Sequence, residues 1–444
     1  MRWFAVGLVL ALGVTGEASA QSERDWKLCS GDDADVAIIF CIRLIHGGKL
    51  DRNKLALVYY SRGRGYNRKG EYDRAIADHT KAIEIDPKYV DAYVGRGTGY
   101  AYKREHDRAI ADFAKAIEID PKNAGAYAGR ATGYAGKKED DRAIADFTKA
   151  VEIDPKHTYS YHGRGILYQA KGEFGRAIAD FTTAIEIDPR SALVYVARSR
   201  SYEAQGGHDR AIADLTRAVE VDPYLAVFLY GQRGSIYMRT GEVDRAIADY
   251  TKAIEIDPRN AIAYTNRGIG YAAKGEYDRA IAEHAKAIEI DAKLEAAYGN
   301  RGITWFYKGD FKAASADFAR TIEVRRKLNF TVSTDDMLFP VLMQARAGEA
   351  AGPEQDANAA GLKTNDWSLA ILELFAGKRT PEAALSASTD PLQICWANFF
   401  IGQWHIVRGD GATAIKFLQA IVDACEKNTV VHIAAVVDLR RLKP

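Results

Sequence analysis

The stretch VDAYVGRGTGYAYKREHDRAIADFAKAIEIDPKN, residues 90–123, decides the fold because the chain repeats its pattern many times. Its Asp-Pro pair recurs at spacings of 34, 34, 34, 34 and 35 residues. The prolines of this series are Pro87, Pro121, Pro155, Pro189, Pro223 and Pro258. A fixed period of this length predicts a stacked-repeat architecture rather than a single globular core. Such an array works by presenting a long surface.

Extending the period gives eight repeats, which begin at residues 56, 90, 124, 158, 192, 227, 261 and 295 and end near residue 328. Within each repeat, position 4 is tyrosine, position 11 is tyrosine or Trp305, position 20 is alanine and position 24 is bulky. These positions are spaced by three and four residues within two segments, so each segment carries one apolar stripe. The pattern therefore predicts two antiparallel helices per repeat.

This pattern resembles the tetratricopeptide repeat, whose W/Y, L, G, Y, A, F, A and P occupy the same offsets. The resemblance covers residues 56–328 and implies an all-α fold, a right-handed α-solenoid of helix-turn-helix repeats with helical caps. One departure is systematic, because position 7, usually leucine in the family, is arginine in every repeat.

Three features of the repeat carry specific expectations. Position 8 is small and usually glycine, and we expect it to face the alanine at position 20 while the rings at positions 11 and 24 fill the adjoining gaps. The Asp-Pro pair should end the second helix, because proline disfavours the helical conformation of the residue before it. The arginine at position 7 is matched by a carboxylate at position 23 in every repeat, which predicts a ladder of bidentate ion pairs. A cationic binding stripe is the alternative for these arginines.

Composition and motifs exclude several function classes. Lys+Arg is 61 and Asp+Glu is 60, so no basic excess suggests nucleic acid or an anionic membrane. The sequence lacks an HExxH motif, a Gly-x-Ser-x-Gly elbow and a complete Walker motif. Two histidines, His79 and His284, fall at packing position 24. We therefore predict no catalytic residues, metal site or cofactor.

Residues 1–20 have the pattern of a secretory signal peptide: Arg2, an apolar run to Val14, then Ala18-Ser19-Ala20 before Gln21. The run is too short to span a bilayer. A transit peptide is the alternative, although the segment is not enriched in arginine and serine. The expected location is the periplasm, with secretion as the alternative.

Export makes the four cysteines informative, since disulfides persist in oxidising compartments. We predict Cys29–Cys41 in an N-terminal half-repeat cap, residues 21–55, and Cys395–Cys425 in a degenerate repeat near 395–428. That ninth repeat has Gly402 at position 8, Gly409 at position 15 and Ala414 at position 20. Free thiols or a metal site are the alternative, but neither pair has CxxC spacing.

Residues 329–444 lose the period yet keep a helical pattern, which predicts a C-terminal helical cap. Thr380-Pro381 and Asp390-Pro391 each have the pattern of an N-cap followed by a first helical residue. Asp366 before Trp367 is a third N-cap candidate. Predicted helices cover 335–350, 366–376, 381–388, 391–407, 410–426 and 429–442.

Binding is expected on the first-helix face that lines the concave groove in the family, at positions 2, 5, 9, 12 and 13. The partner-binding candidates on this face are Arg64, Asn67, Arg68, Val94, Thr98, Tyr102, His162, Ile166, Arg200, Glu203, Phe228 and Met238. Family members that hold acidic chaperone tails use lysine and asparagine here, and that clamp is absent from this chain. A mostly neutral groove should accept an extended or helical apolar segment of another protein.

These observations predict a non-catalytic periplasmic scaffold that binds other proteins. An adaptor for polysaccharide or protein export at the outer membrane is one alternative. An enzyme with its site in residues 329–444 is another, and self-assembly through the ends of the array is a third. The oligomeric state stays open.

Overall fold

The structure is a computed structural model that describes residues 23–47, 50–330, 332–349, 367–427 and 429–443. The predicted signal segment, residues 1–20, and the N-cap candidate Asp366 lie outside these ranges. Within them, every regular element is a helix. The chain forms two compact units, Met1–Asp222 and Pro223–Pro444, which are described separately.

The first unit contains twelve helices among its described residues, and consecutive helices from α2 onward pack against each other. They are α1 (23–29), α2 (Ala34–His46), α3 (Arg52–Arg68), α4 (Tyr72–Ile85), α5 (Val90–Tyr102), α6 (His106–Ile119), α7 (Ala124–Gly136), α8 (Asp140–Ile153), α9 (Thr158–Ala170), α10 (Phe174–Ile187), α11 (Ala192–Ala204) and α12 (His208–Val221). Repeats 1 to 5 each supply one hairpin, from α3–α4 to α11–α12.

The second unit opens with a short 3₁₀ turn, Pro223–Leu225, and continues with three repeat hairpins and a C-terminal group of helices. Its helices are α13 (Ala226–Thr240), α14 (Val243–Ile256), α15 (Ala261–Ala273), α16 (Tyr277–Ile290), α17 (Glu295–Lys308), α18 (Phe311–Lys327), α19 (Thr334–Arg346), α20 (Trp367–Phe375), α21 (Pro381–Leu385), α22 (Pro391–Val407), α23 (Gly411–Ala424) and α24 (Val430–Leu442). The predicted N-caps Thr380 and Asp390 are confirmed, because each side chain accepts a hydrogen bond from a main-chain N–H three residues on.

All eight repeats share the turn between their two helices, and repeats 1 to 7 also share the turn that follows the second helix. Between the two helices, position 15 has positive φ in all eight repeats; it is glycine in six and Arg104 or Lys138 in the others. After the second helix, the aspartate is extended (φ −129° at Asp86), and its carboxylate accepts from the main-chain N–H two residues on. Asp291 makes the same turn before alanine, so the aspartate's own hydrogen bond suffices where proline is missing.

The glycine at position 8 has a different role from the one predicted. A Cβ on Gly97 would lie 3.1 Å from the Phe113 ring, and one on Gly165 would lie 2.6 Å from the Phe181 ring. The nearest neighbour of position 8 is thus the ring at position 24 of the same repeat, not the alanine at position 20. A Cβ on Gly129, at position 6 of the next repeat, would lie 2.4 Å from the other side of Phe113. The glycines therefore make room for a ring between successive repeats.

The ion-pair ladder is confirmed in all eight repeats. In each repeat the arginine Nε and Nη2 donate to the two carboxylate oxygens of the residue 16 positions on, at 2.7–3.0 Å. The pairs are Arg62–Asp78, Arg96–Asp112, Arg130–Asp146, Arg164–Asp180, Arg198–Asp214, Arg233–Asp249, Arg267–Glu283 and Arg301–Asp317. In repeats 2, 4, 5 and 7 the arginine Nη1 also donates to a threonine of the preceding repeat. The ladder thus joins the helices within a repeat and also links neighbouring repeats.

Helices α22 and α23 form a hairpin where the degenerate ninth repeat was predicted. A Cβ on Gly402 would lie 3.1 Å from the Leu418 side chain, which is the contact between positions 8 and 24. Gly409 has positive φ at position 15, and Ala414 is fully buried at position 20. Toward the N-terminus of the described residues, α2 lies where the helix of the predicted half-repeat cap was placed, and the Cys29–Cys41 disulfide joins it to α1.

Candidate functional site

A cleft of about 380 Å³ opens on the first helices of repeats 2 to 4 in the first unit. Its lining residues are Val94, Thr98, Ala101, Tyr102, Phe113, Gly125, Ala128, Gly129, Thr132, His157 and Tyr159. Most occupy the positions 2, 5, 9, 12 and 13 that we call the groove face. The structure therefore brings three of the predicted residues, Val94, Thr98 and Tyr102, into one site.

The cleft has small residues on one helix and aromatic rings on its neighbours. Helix α7 contributes Gly125, Ala128 and Gly129, which leave space above its backbone. Tyr102 comes from α5 and Tyr159 from α9, and these side chains are 64% and 52% exposed. Tyr102 stacks on Tyr72 with ring centroids 5.0 Å apart. Exposed aromatic surface beside a depression is typical of a site that another molecule covers.

The polar atoms of the lining largely bond to the protein itself. The Thr98 hydroxyl donates to the Val94 carbonyl at 2.8 Å, and the Thr132 hydroxyl donates to the Ala128 carbonyl at 3.0 Å. The Tyr159 hydroxyl lies 3.0 Å from the Thr132 hydroxyl, to which it donates. None of the residues described as lining the cleft is aspartate, glutamate, lysine or arginine. The site is therefore suited to a neutral, apolar ligand surface.

The three candidates of repeat 1 are engaged within the chain. Arg64 donates to the carbonyls of Ser30 and Gly31, and Arg68 donates to the carbonyl and the carboxylate of Asp32. The residues that follow α1 thus lie against the groove face of repeat 1. Their contacts with both arginines explain why these cations belong to the N-terminal cap rather than to an open binding surface.

The amide of Asn67 is also used internally. It donates to the carbonyl of Gly95 at 2.9 Å, and its nitrogen lies 3.3 Å from His79 Nε2. Gln169, at the same position of repeat 4, donates to the carbonyl of Ala197 in the same way. Position 12 amides therefore join one repeat to the next.

The candidates of repeats 4 and 5 continue the groove face beyond the cleft. Ile166 is exposed, and His162 is half-buried against the Phe181 ring at 6.0 Å, where burial lowers the pKa of its imidazole. Arg200 is exposed and Glu203 is half-buried. Phe228 and Met238 belong to the second unit, where Phe228 is exposed and Met238 is half-buried.

In the second unit, the chain's own helices cover positions 12 and 13 of the groove face of repeat 8. Phe306 and Tyr307, at positions 12 and 13, are buried in the C-terminal core. The Phe306 ring meets the Phe399 ring of α22 edge-on, with centroids 6.1 Å apart. Arg441 of α24 donates to the main-chain carbonyls of Phe306 and Tyr307 at 3.0 and 2.7 Å. The C-terminal cap thus occupies this part of the groove face.

A buried polar network stabilises that cap. Arg346 donates to Gln403 at 2.6 Å, Gln403 donates to Asp438 at 2.7 Å, and Arg441 donates to Asp438 at 2.8 Å. Asp438 and Gln403 are buried, so these mutual bonds replace the water that they lose. The polar groups of this network bond to one another and to main-chain carbonyls, so their hydrogen bonds hold the C-terminal helices together.

Both cysteine pairs are joined in the structure. Cys29–Cys41 ties the end of α1 to α2, and Cys395–Cys425 ties the first turn of α22 to the residue that follows α23. Across the described ranges, no group of three histidine, cysteine, aspartate or glutamate side chains is arranged to hold a metal ion. Every described helix is too short or too polar to cross a membrane.

Sequence reasoning missed several cleft residues. Tyr159 stands at position 2 of repeat 4, and Gly125 at position 2 of repeat 3, so both were within reach of the repeat frame. His157 lies in the loop between repeats and Phe113 at packing position 24, and no sequence signal marks either as part of a cleft. Phe113 is only 2% exposed, and the small residues of α7, such as Gly129, lie against its ring where it lines the cleft.

Comparison with known proteins identifies the repeats. Family models described as tetratricopeptide repeat match residues 56–89, 94–158 and 162–226, and one described as TPR repeat matches 234–272. No curated protein matches the chain.

Solved structures show partial similarity. YrrB, described as a TPR protein with an unusual peptide-binding site, is 28% identical, with a TM-score of 0.37 over 42% of this chain and 95% of that one. A tetratricopeptide repeat protein from Parabacteroides merdae is 21% identical, with a TM-score of 0.39 over 56% and 99%. PilW, described as a widely conserved type IV pilus biogenesis factor, is 20% identical, with a TM-score of 0.43 over 47% and 97%. Scores this low carry no functional argument. The family matches, together with the helix hairpins and the repeat pattern, show that this chain is a tetratricopeptide repeat protein.

Proposed function

We propose that this chain is a non-catalytic, exported scaffold that binds a segment of another protein on the groove face of its first unit. The observation that carries the proposal is the uncharged cleft of repeats 2 to 4 with its two exposed tyrosines. Exposed large apolar side chains continue from it along the same face, at Ile166 and at Leu193, which is 62% exposed. A contiguous apolar surface on a protein-interaction fold favours a protein partner.

The features of the C-terminal region favour a structural role for this region. Its core is apolar, and the Arg346–Gln403–Asp438 network bonds internally. This arrangement favours a cap over a catalytic cleft.

Export is part of the same proposal. The predicted signal segment precedes a chain in which all four cysteines are paired, and disulfides of this kind persist in the periplasm or outside the cell. Cell fractionation together with thiol titration under non-reducing conditions tests this part. Four titratable thiols in the native protein, or recovery in the cytoplasmic fraction, would contradict it.

Blocking the cleft tests the binding site. A Cβ at Gly125 would meet only the Asn123 side chain, at 3.4 Å, so Gly125→Trp should fill the cleft without disturbing the helix. Gly175 is an exposed helical glycine of α10 outside the cleft, and Gly175→Trp is the matched control. Affinity capture from the cell envelope should lose its main partner with Gly125→Trp and with Val94→Glu, but keep it with Gly175→Trp. Equal capture by all variants would place binding elsewhere.

A further inference from the structure

The two disulfides of this chain differ in how they meet solvent. The N-terminal disulfide joins Cys29 and Cys41, which are 1% and 0% exposed. The C-terminal disulfide joins Cys395 and Cys425, which are half-buried at the edge of the C-terminal core. We propose that the C-terminal disulfide is a redox-exchangeable bond and a substrate site for a thiol–disulfide oxidoreductase, whereas the N-terminal disulfide is a permanent link. This inference goes beyond the binding proposed for the cleft and does not depend on it.

Access decides which of the two bonds can be exchanged. A thiolate opens a disulfide by attacking one of its sulfurs, so the rate depends on how readily that sulfur is reached. The N-terminal disulfide is closed to attack unless its cap opens, because it lies in a buried cluster with apolar residues such as Leu44 and Val58. The C-terminal disulfide needs no such opening, since Ile394, Ala424 and Glu426 beside its cysteines are exposed.

Exposed apolar side chains flank the accessible bond. Leu392 is 63% exposed and Ile394 is 40% exposed, and both belong to the first turn of α22. Because an α-helix turns about 100° per residue, the side chain of Cys395 lies between these two around the helix axis. The aromatic side chains farther along α22, Phe399 and Phe400, are instead buried in the core. Leu392 and Ile394 thus form an apolar rim beside the disulfide.

An apolar rim beside an accessible disulfide fits the active-site surface of an oxidoreductase that carries a Cys-x-x-Cys dithiol. Such an enzyme must bring its reactive thiolate to the disulfide, and apolar contacts with the residues next to the cysteine hold the two proteins together while the sulfurs react. A small dithiol reagent makes no such contacts. The rim should therefore accelerate the enzyme and leave the small reagent unaffected.

The exchange step balances with the enzyme's dithiol as the reductant. The enzyme thiolate attacks Cys425 Sγ, which lies in extended backbone just past the end of α23. The bond between the two sulfurs breaks, and Cys395 leaves as a thiolate that takes a proton from water. The second enzyme thiol loses its proton, attacks the mixed disulfide and releases Cys425, which is protonated in turn. Two electrons thus pass to the chain's disulfide, and the enzyme's dithiol becomes a disulfide.

Opening the bond releases the connection between α23 and α24. Within residues 423–427, Cys425 is the one residue that is not exposed. Hydrogen bonds of the side chains around it stay local, as from Gln419 to Asp423. Helix α24 has buried side chains of its own, from Val431 to Leu439. Reduction should therefore loosen the end of α23 and the connection, while α24 stays packed.

Reduction of the intact, oxidised protein under native conditions tests this inference. Thioredoxin, kept reduced by its reductase and NADPH, and dithiothreitol are added in separate reactions. Samples are quenched in acid and alkylated, and mass spectrometry of the peptides gives a reduction rate for each disulfide. The double variant Leu392→Ser/Ile394→Ser removes the rim. Val407→Ser is the matched control, because Val407 is 42% exposed at the other end of α22.

We expect both reductants to open the C-terminal disulfide at least tenfold faster than the N-terminal one. The rim variant should slow thioredoxin at least fivefold and leave the dithiothreitol rate unchanged, and Val407→Ser should change neither rate. Equal reduction rates for the two disulfides would overturn the exchangeable bond. An unchanged thioredoxin rate in the rim variant would overturn the oxidoreductase surface.

Hydrogen exchange of the oxidised and reduced protein tests the structural consequence. Main-chain amides of residues 421–427 should exchange at least tenfold faster after reduction, because their link to α22 is gone. Amides in the centre of α24 should keep their rates. Unchanged exchange at residues 421–427 would show that the disulfide does not control this end of the cap.

Discussion

Breaking one rung of the ion-pair ladder gives the most direct test of how this array is stabilised. In repeat 4, Arg164 donates to the Asp180 carboxylate oxygens at 2.7 and 2.8 Å and to the Thr148 hydroxyl at 3.0 Å. Asp180 is only 6% exposed. Arg164→Met keeps much of the aliphatic stem but leaves a buried carboxylate without its cation. Such a loss costs about 3–5 kcal/mol of unfolding free energy, to which the lost threonine bond adds about 1 kcal/mol.

The double variant Arg164→Met/Asp180→Leu distinguishes the energetic contribution of the ion pair from that of the surrounding packing. With both charges gone, neither group pays a desolvation cost, so the double variant should lie within about 1–2 kcal/mol of the wild type. Urea unfolding followed by circular dichroism measures the free energies. Hydrogen exchange in α9 and α10 locates the effect, since a repeat array can unfold in parts.

The same variants decide between the two roles considered for the arginines. A structural rung predicts that Arg164→Met lowers stability while binding at the cleft stays unchanged below the unfolding transition. The reasoning is refuted if Arg164→Met keeps wild-type stability and loses its partner. In that case the arginine row would act as a cationic binding stripe.

Three further predictions address the packing rings, the disulfides and the C-terminal cap. Burial lowers the pKa of His79 to about 3, below the ordinary 6.5. The unfolded chain therefore binds the proton first, so the free energy of unfolding falls as pH drops below about 6.5, by about 2 kcal/mol at pH 5. His79→Phe should remove that part of the difference between the free energies of unfolding measured at pH 7 and pH 5. Replacing Cys395 and Cys425 by serine opens a link across 30 residues, which should lower the stability of the second unit by about 3–4 kcal/mol; equal melting of the wild type with and without reductant would contradict this. Arg441→Met removes two bonds to the end of α17, so amide exchange in α24 should quicken more than in α22, and unchanged exchange would show that the arginine does not hold the cap.

Much of the fold follows from the sequence because each repeat obeys local rules. The period fixes where the repeat helices begin and end, and in the C-terminal region the N-cap patterns fix where helices such as Pro391–Val407 begin. The ends of two C-terminal helices, Thr334–Arg346 and Pro381–Leu385, come earlier than predicted. The ladder was predictable because arginine at position 7 and an acid at position 23 occur together in every repeat. The prediction of a ninth repeat rests on three residues, because Gly402, Gly409 and Ala414 keep their spacing after the rest of the pattern is lost.

The contact of the position 8 glycine was not predictable from spacing alone. Spacing places positions 8, 20 and 24 on facing stripes but does not say how deeply each side chain reaches. Alanine is too short to reach across, whereas a phenylalanine ring such as Phe113 extends between two repeats. The partner of the glycine is therefore set by side-chain length, which requires the three-dimensional separation of the helices.

The candidate site was only partly predictable for a related reason. The repeat frame identifies the groove face, but not the segments of the same chain that lie on it. The sequence suggests that Arg64 and Arg68 are available to bind a partner, but the structure shows that they donate to carbonyls of residues 30–32. These contacts join residues more than 30 positions apart, so no local sequence pattern predicts them.

The two kinds of position also explain where specificity is encoded. In every repeat the arginine at position 7 pairs with the acid at position 23 and lies over the tyrosine ring at position 4, so the same requirement recurs at these positions. Groove positions have no such shared requirement, and their residue types match the segment that contacts them. Arg64 lies where residues of the N-terminal segment supply carbonyls, and Phe306 lies where α22 supplies the Phe399 ring. Within the described part of the first unit, repeats 2 to 4 combine Gly125 with two exposed tyrosines, Tyr102 and Tyr159, a combination that neither the ladder nor the ring packing requires. If the cleft binds a partner segment as proposed, exchanging Gly125 and Tyr159 for other small or aromatic residues should change which partner segments bind while leaving the fold intact.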